Sequence, residues 1–411
     1  MTEGYVSPAP KEPPPAPEPP QRRVAPRAWV RENLFSSVFN GVLTVVFGLL
    51  LAWVLYRIGR FVLVDARWEI IERNTTNLLV FRFPRDEFWR LWTASFVLAL
   101  GFGFAAGSTA RAGGGGIADR TLALRRAAPL LVLVAVFLVL AGSLTATLLI
   151  AGIAAVGLAA RYAGSRLPVR RSRALLVALA SLLAAYLVVA HFGGVGWSRW
   201  GGLLLTVFLA VGGIVLSFPL GVLLALGRRS RLPVVRWVCI AYIELIRGVP
   251  LITILFMGAF MLGFFLPAGM DTPSLETRAL VALTIFTSAY VAEIVRGGLQ
   301  SVPRGQVEAA QALGFSAYKT TRLIVLPQAL RISIPPIVNS FISLFKDTSL
   351  VVIIALYDFA YAVKKSIETD FSWRPYFVEA FLFSMLIYWI FCWSMSKYSQ
   401  RLERELAAGR R

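Results

Sequence analysis

Long uninterrupted apolar blocks constrain this chain more than any other feature of its sequence. Their centres lie at 42–55, 130–140, 203–226 and 252–266. In hydrocarbon, every backbone N–H and C=O must be paired inside the protein, so a spanning element is a helix or a closed barrel. Spanning barrels alternate apolar and polar residues, and these blocks do not alternate. The pattern predicts an all-α membrane protein.

Apolar stretches of suitable length predict about ten transmembrane helices. They lie at 35–55, 88–106, 127–141, 143–158, 174–191, 202–226, 237–266, 280–294, 334–355 and 377–395. The third and fourth stretches are short and are separated only by Gly142. Residues 127–160 therefore form either two spans or one long tilted span.

The charge pattern predicts the orientation of the chain. The formal net charge is +20, and in membrane proteins Lys and Arg gather in cytoplasmic loops. Basic connections at 111–126, 161–173 and 228–236 alternate with connections that carry almost no Lys or Arg, which predicts a cell inner membrane protein with both termini in the cytoplasm. The predicted outer loop 57–90 conflicts with this rule, because it holds seven arginines. No basic stretch is interleaved with exposed aromatics, so we expect no nucleic-acid partner.

Composition shifts divide the chain into four predicted parts. Residues 1–34 are predicted to be a disordered, Pro-rich cytoplasmic tail, and residues 35–200 a set of N-terminal accessory transmembrane helices. The main membrane core is predicted at 201–397, and it contains a long polar connection at 298–331. A basic cytoplasmic tail is expected at 398–411.

The connection at 298–331 contains residues that favour a short helix and residues that end one. Glu308, Ala309 and Ala310 are good helix formers, and a carboxylate near a helix start favours the positive end of the helix dipole. Gly314 suits the left-handed position that ends a helix. Pro327 breaks the chain or restarts it as a new helix.

The same connection resembles the signature loop of ABC importer membrane subunits, Glu-Ala-Ala, three residues, Gly, nine residues, Ile, one residue, Leu-Pro. The matching residues are Glu308, Ala309, Ala310, Gly314, Ile324, Leu326 and Pro327. The resemblance implies a C-terminal five-helix type I ABC importer permease core. It also implies that the short helix docks in a groove of a cytoplasmic ATPase and transmits its motion.

Three flanking segments resemble the polar amino acid subfamily of these permeases. They are Tyr-Val-Ala-Glu-Ile-Val-Arg-Gly-Gly at 290–298, Glu-Leu-Ile-Arg-Gly-Val-Pro-Leu at 244–251 and Lys-Asp-Thr-Ser-Leu at 346–350. The long N-terminal part further resembles the larger general L-amino-acid permeases. That resemblance implies an L-amino acid substrate and a permease pair, a heterodimer with a related chain more than a homodimer. It also implies an ABC ATPase dimer and an extracytoplasmic amino-acid-binding protein.

Ionisable residues inside spans are costly and are therefore candidate functional residues. Their spacing of three places Glu244 and Arg247 on one helix face, which predicts a structural pair. Tyr290 and Glu293 share another face. A polar run at the end of a span adds candidates for a substrate path or gate, and for Glu293 a structural role beside Arg296 stays open. This run is Lys346, Asp347, Thr348 and Ser349.

Catalytic and nucleotide-binding signatures are absent from the sequence. It holds no Gly-x-x-x-x-Gly-Lys-Ser/Thr and only one histidine, so we expect no catalytic or metal residues and no cofactor in this chain. By the resemblance, ATP and Mg are bound by the partner ATPase. Three alternatives remain: an ion-gradient-driven secondary amino acid transporter, a membrane-embedded enzyme and a scaffold. Co-purification of an ATPase distinguishes the importer from all three.

Overall fold

The computed structural model describes residues 26–112, 144–167, 169, 171–191, 194–267 and 269–408. These residues form helices joined by turns, with no named strand among them. The chain divides into two compact units, Met1–Ala66 and Arg67–Arg411. The predicted span at 127–141 lies outside the described residues. The choice between one and two spans at 127–160 depends on it and stays a prediction.

The described residues of the first unit form two helices, α1 (Pro26–Leu34) and α2 (Val38–Arg60), and α2 continues through a π-helical turn to Asp65. Ser37 caps α2, because its side chain accepts a hydrogen bond from the Asn40 backbone N–H. No residue of α2 is buried, although the helix is strongly apolar. A helix that is apolar all round is stable in lipid and not in water.

The second unit holds fourteen further helices among the described residues. They are α3 (Glu69–Val80), α4 (Phe88–Ala112), α5 (Leu144–Arg166), α6 (Arg171–Ala190), α7 (Gly202–Arg228), α8 (Pro233–Gly248), α9 (Leu251–Phe256), α10 (Leu262–Phe265), α11 (Leu275–Gln300), α12 (Arg304–Ala312), α13 (Ala317–Thr320), α14 (Leu326–Asp347), α15 (Phe359–Thr369) and α16 (Phe377–Ala408).

Eight helices in the described part are long and apolar enough to cross a membrane, or nine if α8 and the segment after it count as one span. This agrees with the predicted all-α membrane fold. The span predicted at 237–266 is not straight, because the chain bends by 107° between α8 and Leu251–Phe265. Helix α14 begins at Leu326, with Pro327 in its first turn, and thus before the predicted residue 334.

The core of the second unit is built around α11, which packs against α7, α8 and α14. Small residues on α7 permit close approach: a side chain at Gly221 would collide with Val291 and the Ser288 backbone of α11. Small residues at helix contacts are the usual route to tight packing in membranes. A glycine also permits close packing of α5 on α4, because a Cβ at Gly164 would collide with the Phe104 carbonyl.

Helix α3 lies within the predicted outer loop 57–90, and sequence analysis did not predict it. It packs against α7 and α15 and contributes to one hydrophobic cluster. The buried residues of this cluster include Ile70, Ile71, Leu78, Leu203, Phe359 and Val363. Helix α7 begins beside α3 at Gly202, whose φ of +59° and contact with the Leu78 carbonyl leave no room for a side chain.

Candidate functional site

The first part of the site is α12, which lies in the polar connection at 298–331. We call this segment the coupling connection, because the family resemblance implies that it couples the membrane part to an ATPase. The helix ends at Gly314, whose φ is +75°. The Phe315 N–H donates to the Ala310 carbonyl at 3.0 Å, and the Gly314 N–H donates to the Gln311 carbonyl at 2.9 Å. This pair of bonds is a Schellman motif, the arrangement that needs a left-handed residue. The predicted helix and its glycine stop are confirmed.

Helix α12 buries one residue and exposes most of the others. Ala310 is 1% exposed and anchors the helix to its own chain, whereas Glu308 and Ala309 are exposed. Leu313 is 76% exposed at the tip, with Tyr318 exposed beyond it. The expectation that Glu308 sits at the helix start is wrong, because α12 begins at Arg304 and has no acidic residue in its first turn. The Glu308 carboxylate is thus left facing outward.

The second half of the connection returns the chain to the membrane. Ser316 caps α13 by accepting from the Lys319 backbone N–H, and a π-helical turn at Thr321–Val325 follows. Ile324 and Leu326 are half-buried, and Leu326 packs on the hydrophobic cluster formed by α7, α8, α11 and α14. The motif residues thus divide into exposed positions on α12 and packed positions that lead into Pro327 and α14.

A charged cluster lies near the end of α11, ahead of the coupling connection, and Glu293 is its centre. Three arginine side chains converge on this carboxylate: Arg296 at 2.5 Å, Arg228 at 3.7 Å and Arg247 at 3.7 Å. Arg228 also contacts Glu244 at 2.8 Å. The cluster joins α7, α8 and α11 and carries one positive charge in excess.

The predicted pair of Glu244 with Arg247 is wrong: among the described residues, no ion pair joins the two side chains. Glu244 contacts Arg228 and Arg247 contacts Glu293 instead. Spacing placed the two residues on one helix face, but the neighbouring helices offer each of them a different partner. Arg247 also lies 5.8 Å from the centre of the Tyr290 ring, so Tyr290 lies beside the charged cluster around Glu293.

The polar run at the end of α14 stands apart from the Glu293 cluster. Thr348 is fully buried and donates to the Phe345 carbonyl at 2.7 Å, and Ser349 donates to the Lys346 carbonyl at 2.8 Å. Both bonds cap the helix end locally. Within the part of the chain that the structure describes, no ion pair links Lys346 or Asp347 to the charged cluster. The structure therefore groups the predicted path residues in two places.

Sequence analysis missed a buried acidic residue, Asp358, which precedes α15. Its carboxylate accepts from the backbone N–H groups of Ala360 and Tyr361, both at 3.0 Å, and from the Tyr388 hydroxyl at 3.3 Å. Burial raises the pKa of Asp358 to about 6, and these hydrogen bonds act in the opposite direction. An Asp directly before a helical stretch is an N-cap signal, so its role as a cap was detectable. Its contact with α16 was not.

Comparison with known proteins adds an independent finding. The family model described as "Binding-protein-dependent transport system inner membrane component" matches residues 217–407. The glutamate/glutamine/aspartate/asparagine transport system permease protein BztC of Rhodobacter capsulatus is 35% identical over 439 aligned residues, which cover 95% of this chain and 96% of BztC.

Two further proteins each match about half of this chain. The inner membrane amino-acid ABC transporter permease protein YhdY of Escherichia coli is 52% identical over 212 residues, which cover 52% of this chain and 57% of YhdY. This match thus spans little more than half of YhdY. A crystal structure of an amino acid ABC transporter with histidines is 32% identical, covers 49% of this chain and 91% of the other, and has a TM-score of 0.44.

Proposed function

This chain belongs to the family of binding-protein-dependent transport system inner membrane components, and we propose that it is the permease through which an ATP-driven importer moves L-amino acids. It is a multi-pass inner membrane protein of the amino-acid ABC transporter permease group, as the resemblance at 308–327 implied. None of the matches favours the ion-gradient-driven alternative.

The observation that carries the proposal is the exposed tip of the coupling connection. Leu313 is 76% exposed directly after the nine residues of α12, outside the apolar spans. Lipid does not cover this side chain if the tip lies in the cytoplasm, and we propose that a protein partner does. Ala309 leaves room for close approach, and the Glu308 carboxylate offers hydrogen-bond acceptors at the same surface.

The proposed partner at this tip is a cytoplasmic ABC ATPase dimer that binds ATP and Mg. A second related permease chain completes the membrane part, and an extracytoplasmic amino-acid-binding protein delivers the substrate. With α12 on the cytoplasmic side, the basic connections also face the cytoplasm, together with both termini. This chain then needs no nucleotide site of its own.

The charged cluster is placed to relay motion of α12 into the membrane. Glu293 lies two helical turns before the end of α11 at Gln300, and Pro303 directly precedes α12. Arg229 also donates to the Leu299 carbonyl at 3.3 Å, which ties α7 to the same point. ATP can drive alternating access only by binding one state more tightly than the other. We assign the cluster the role of a gate that opens when α12 moves.

The substrates proposed are acidic and amide L-amino acids, and two facts support this class. BztC, named for glutamate, glutamine, aspartate and asparagine, aligns along nearly the whole chain. The charged cluster has one positive charge in excess, and Arg247 and Arg228 keep about a third and a quarter of their side-chain surface accessible. A passing carboxylate therefore meets available guanidinium groups. Lys346, Asp347, Thr348 and Ser349 stay candidate residues of the same path.

The test is isolation of the full chain from its native membrane under mild extraction, followed by identification of the proteins that accompany it. We expect an ATPase with a phosphate-binding loop, and we expect its recovery to fall when Leu313 is replaced by Asp. Leu323→Asp, a change of another exposed leucine, tests whether the loss is specific to the tip. If no such ATPase accompanies the wild-type chain, the importer assignment is wrong.

The substrate class is tested separately in vesicles that contain the isolated complex and its binding protein. ATP-dependent uptake of labelled L-glutamate and L-glutamine should exceed uptake of L-lysine. Equal uptake of all three would refute the substrate class and leave the importer assignment intact.

A further inference from the structure

Helix α8 crosses the end of α7 and also contacts the middle of α11, where the Tyr242 hydroxyl donates to the Ile285 carbonyl at 3.0 Å. It is bent by 107° from Leu251–Phe265, and the break occurs at Val249, whose backbone is extended. Cys239 faces Gly227, and Glu244, five residues later, pairs with Arg228, the next residue of α7. A helix that advances by five residues while its partner advances by one crosses that partner at a steep angle. At the end of α7, α8 therefore turns away from the direction of that span.

One face of α8 is apolar and uncovered. Val234, Trp237, Val238 and Leu245 are each between 63% and 74% exposed. Their spacings of three, four and eleven residues place them on one side of the helix. Ile243 on another side is fully buried against the core, so the helix is anchored to its own chain. This combination of one anchored side and one apolar free side is typical of helices that lie in a membrane interface.

The charges around this face have one sign. Between residues 228 and 243 the sequence holds four arginines and no acidic residue. Arg228 pairs with Glu244 and Arg229 donates to the Leu299 carbonyl. Arg231 and Arg236 are exposed and have no ion pair among the described residues. Two unpaired guanidinium groups thus flank an exposed tryptophan.

We propose that α8 binds anionic phospholipid in the leaflet on the side of α12, with Arg231 and Arg236 at the head groups and Trp237 at the boundary of the acyl chains. Each arginine near such a surface favours an anionic lipid by about fivefold. The indole ring of tryptophan prefers the same depth in the membrane. A second copy of this chain fits less well, because a twofold contact at α8 would bring the same arginines together.

The experiment uses the full chain in bilayers of phosphatidylcholine and phosphatidylglycerol, with bromine on the acyl chains of one lipid at a time. Bromine quenches nearby tryptophan fluorescence. The difference between wild type and Trp237→Phe isolates the signal of Trp237 from those of the other tryptophans. We expect brominated phosphatidylglycerol to quench this signal several-fold more than brominated phosphatidylcholine at the same mole fraction.

Arg231→Gln with Arg236→Gln should remove this preference and keep quenching by brominated phosphatidylcholine, which also shows that the variant retains its fold. The matched control, Arg173→Gln with Arg304→Gln, removes two exposed arginines elsewhere and should keep the preference. Equal quenching by both lipids in the wild type overturns the proposal. So does a Trp237 signal that neither lipid quenches, because water or a protein partner then covers the face.

Discussion

The substitution Gly314→Ala tests whether the turn after α12 matters for coupling or only for folding. Gly314 has φ +75°, and a Cβ built there meets no atom within 4 Å. The cost of alanine is therefore conformational and not steric, about 1–2 kcal/mol for an L-residue in the left-handed region. That free energy lowers the ratio of the native turn to its other conformations by about 5- to 30-fold.

The expected result is a loss of coupling in a chain that still folds and inserts. At limiting ATPase concentration, recovery of the ATPase with the permease and ATP-driven uptake should both fall, by at most about 30-fold. Gly314→Asn should fall between wild type and alanine, because Asn tolerates the left-handed region better than Ala. Thermal unfolding of the transmembrane part should change little.

Gly305→Ala is the matched control. Gly305 lies in the first turn of the same helix, a Cβ there also meets nothing within 4 Å, and its φ is ordinary. Alanine at a helical position is favoured over glycine by up to about 1 kcal/mol. Coupling should therefore be unchanged in this variant. If Gly314→Ala and Gly305→Ala couple equally well, the geometry of the turn does not control docking and the reasoning fails.

Three further predictions concern the membrane part. Glu293→Gln leaves three arginines without their common anion and should raise the basal ATPase rate of the assembled complex. Adding Arg247→Gln should bring that rate part of the way back to the wild-type value. A double-mutant cycle with no coupling energy between the two residues contradicts the role of the cluster as a gate. Asp358→Asn should flatten the pH dependence of thermal stability. In the wild type the pKa of the native carboxyl is raised from 3.8 to about 6, so stability falls as the pH rises between those values, and an unchanged slope in the variant excludes Asp358 as the cause. Gly164→Val should separate α5 from α4 at the Phe104 carbonyl and cost about 1–3 kcal/mol in unfolding experiments, and a wild-type melting curve refutes that close contact.

The spans and the coupling helix could be predicted from the sequence because their signals are local. A long apolar block needs no partner to be recognised, and Gly314 marks a helix end by its own conformational freedom. The bend after α8 also had a local signal in Gly248 and Pro250. The apolar residues nevertheless continue across it, so hydropathy alone predicts one straight span at 237–266.

The features that sequence analysis missed depend on neighbours in space. Helical spacing placed Glu244 and Arg247 on one face, but it could not show that α7 and α11 supply nearer partners for both. Helix α3 is short and amphipathic inside a polar stretch, so only its packing against α15 identifies it as part of the core. The burial of Asp358 likewise follows from α16, thirty residues further along the chain.

The position of α3 has a consequence for how proteins of this family can be shortened. A chain cut down to residues 201–411 would keep every motif of the coupling connection, yet it would uncover Leu203, Phe359 and Val363 and leave an empty groove beside Gly202. In such a shortened chain, larger side chains or a partner would have to fill that groove. The part of the chain before residue 201 is thus tied to the motif-bearing part by the packing of α3 and not by a shared motif. Loss of α3 would require compensating changes on α7 and α15.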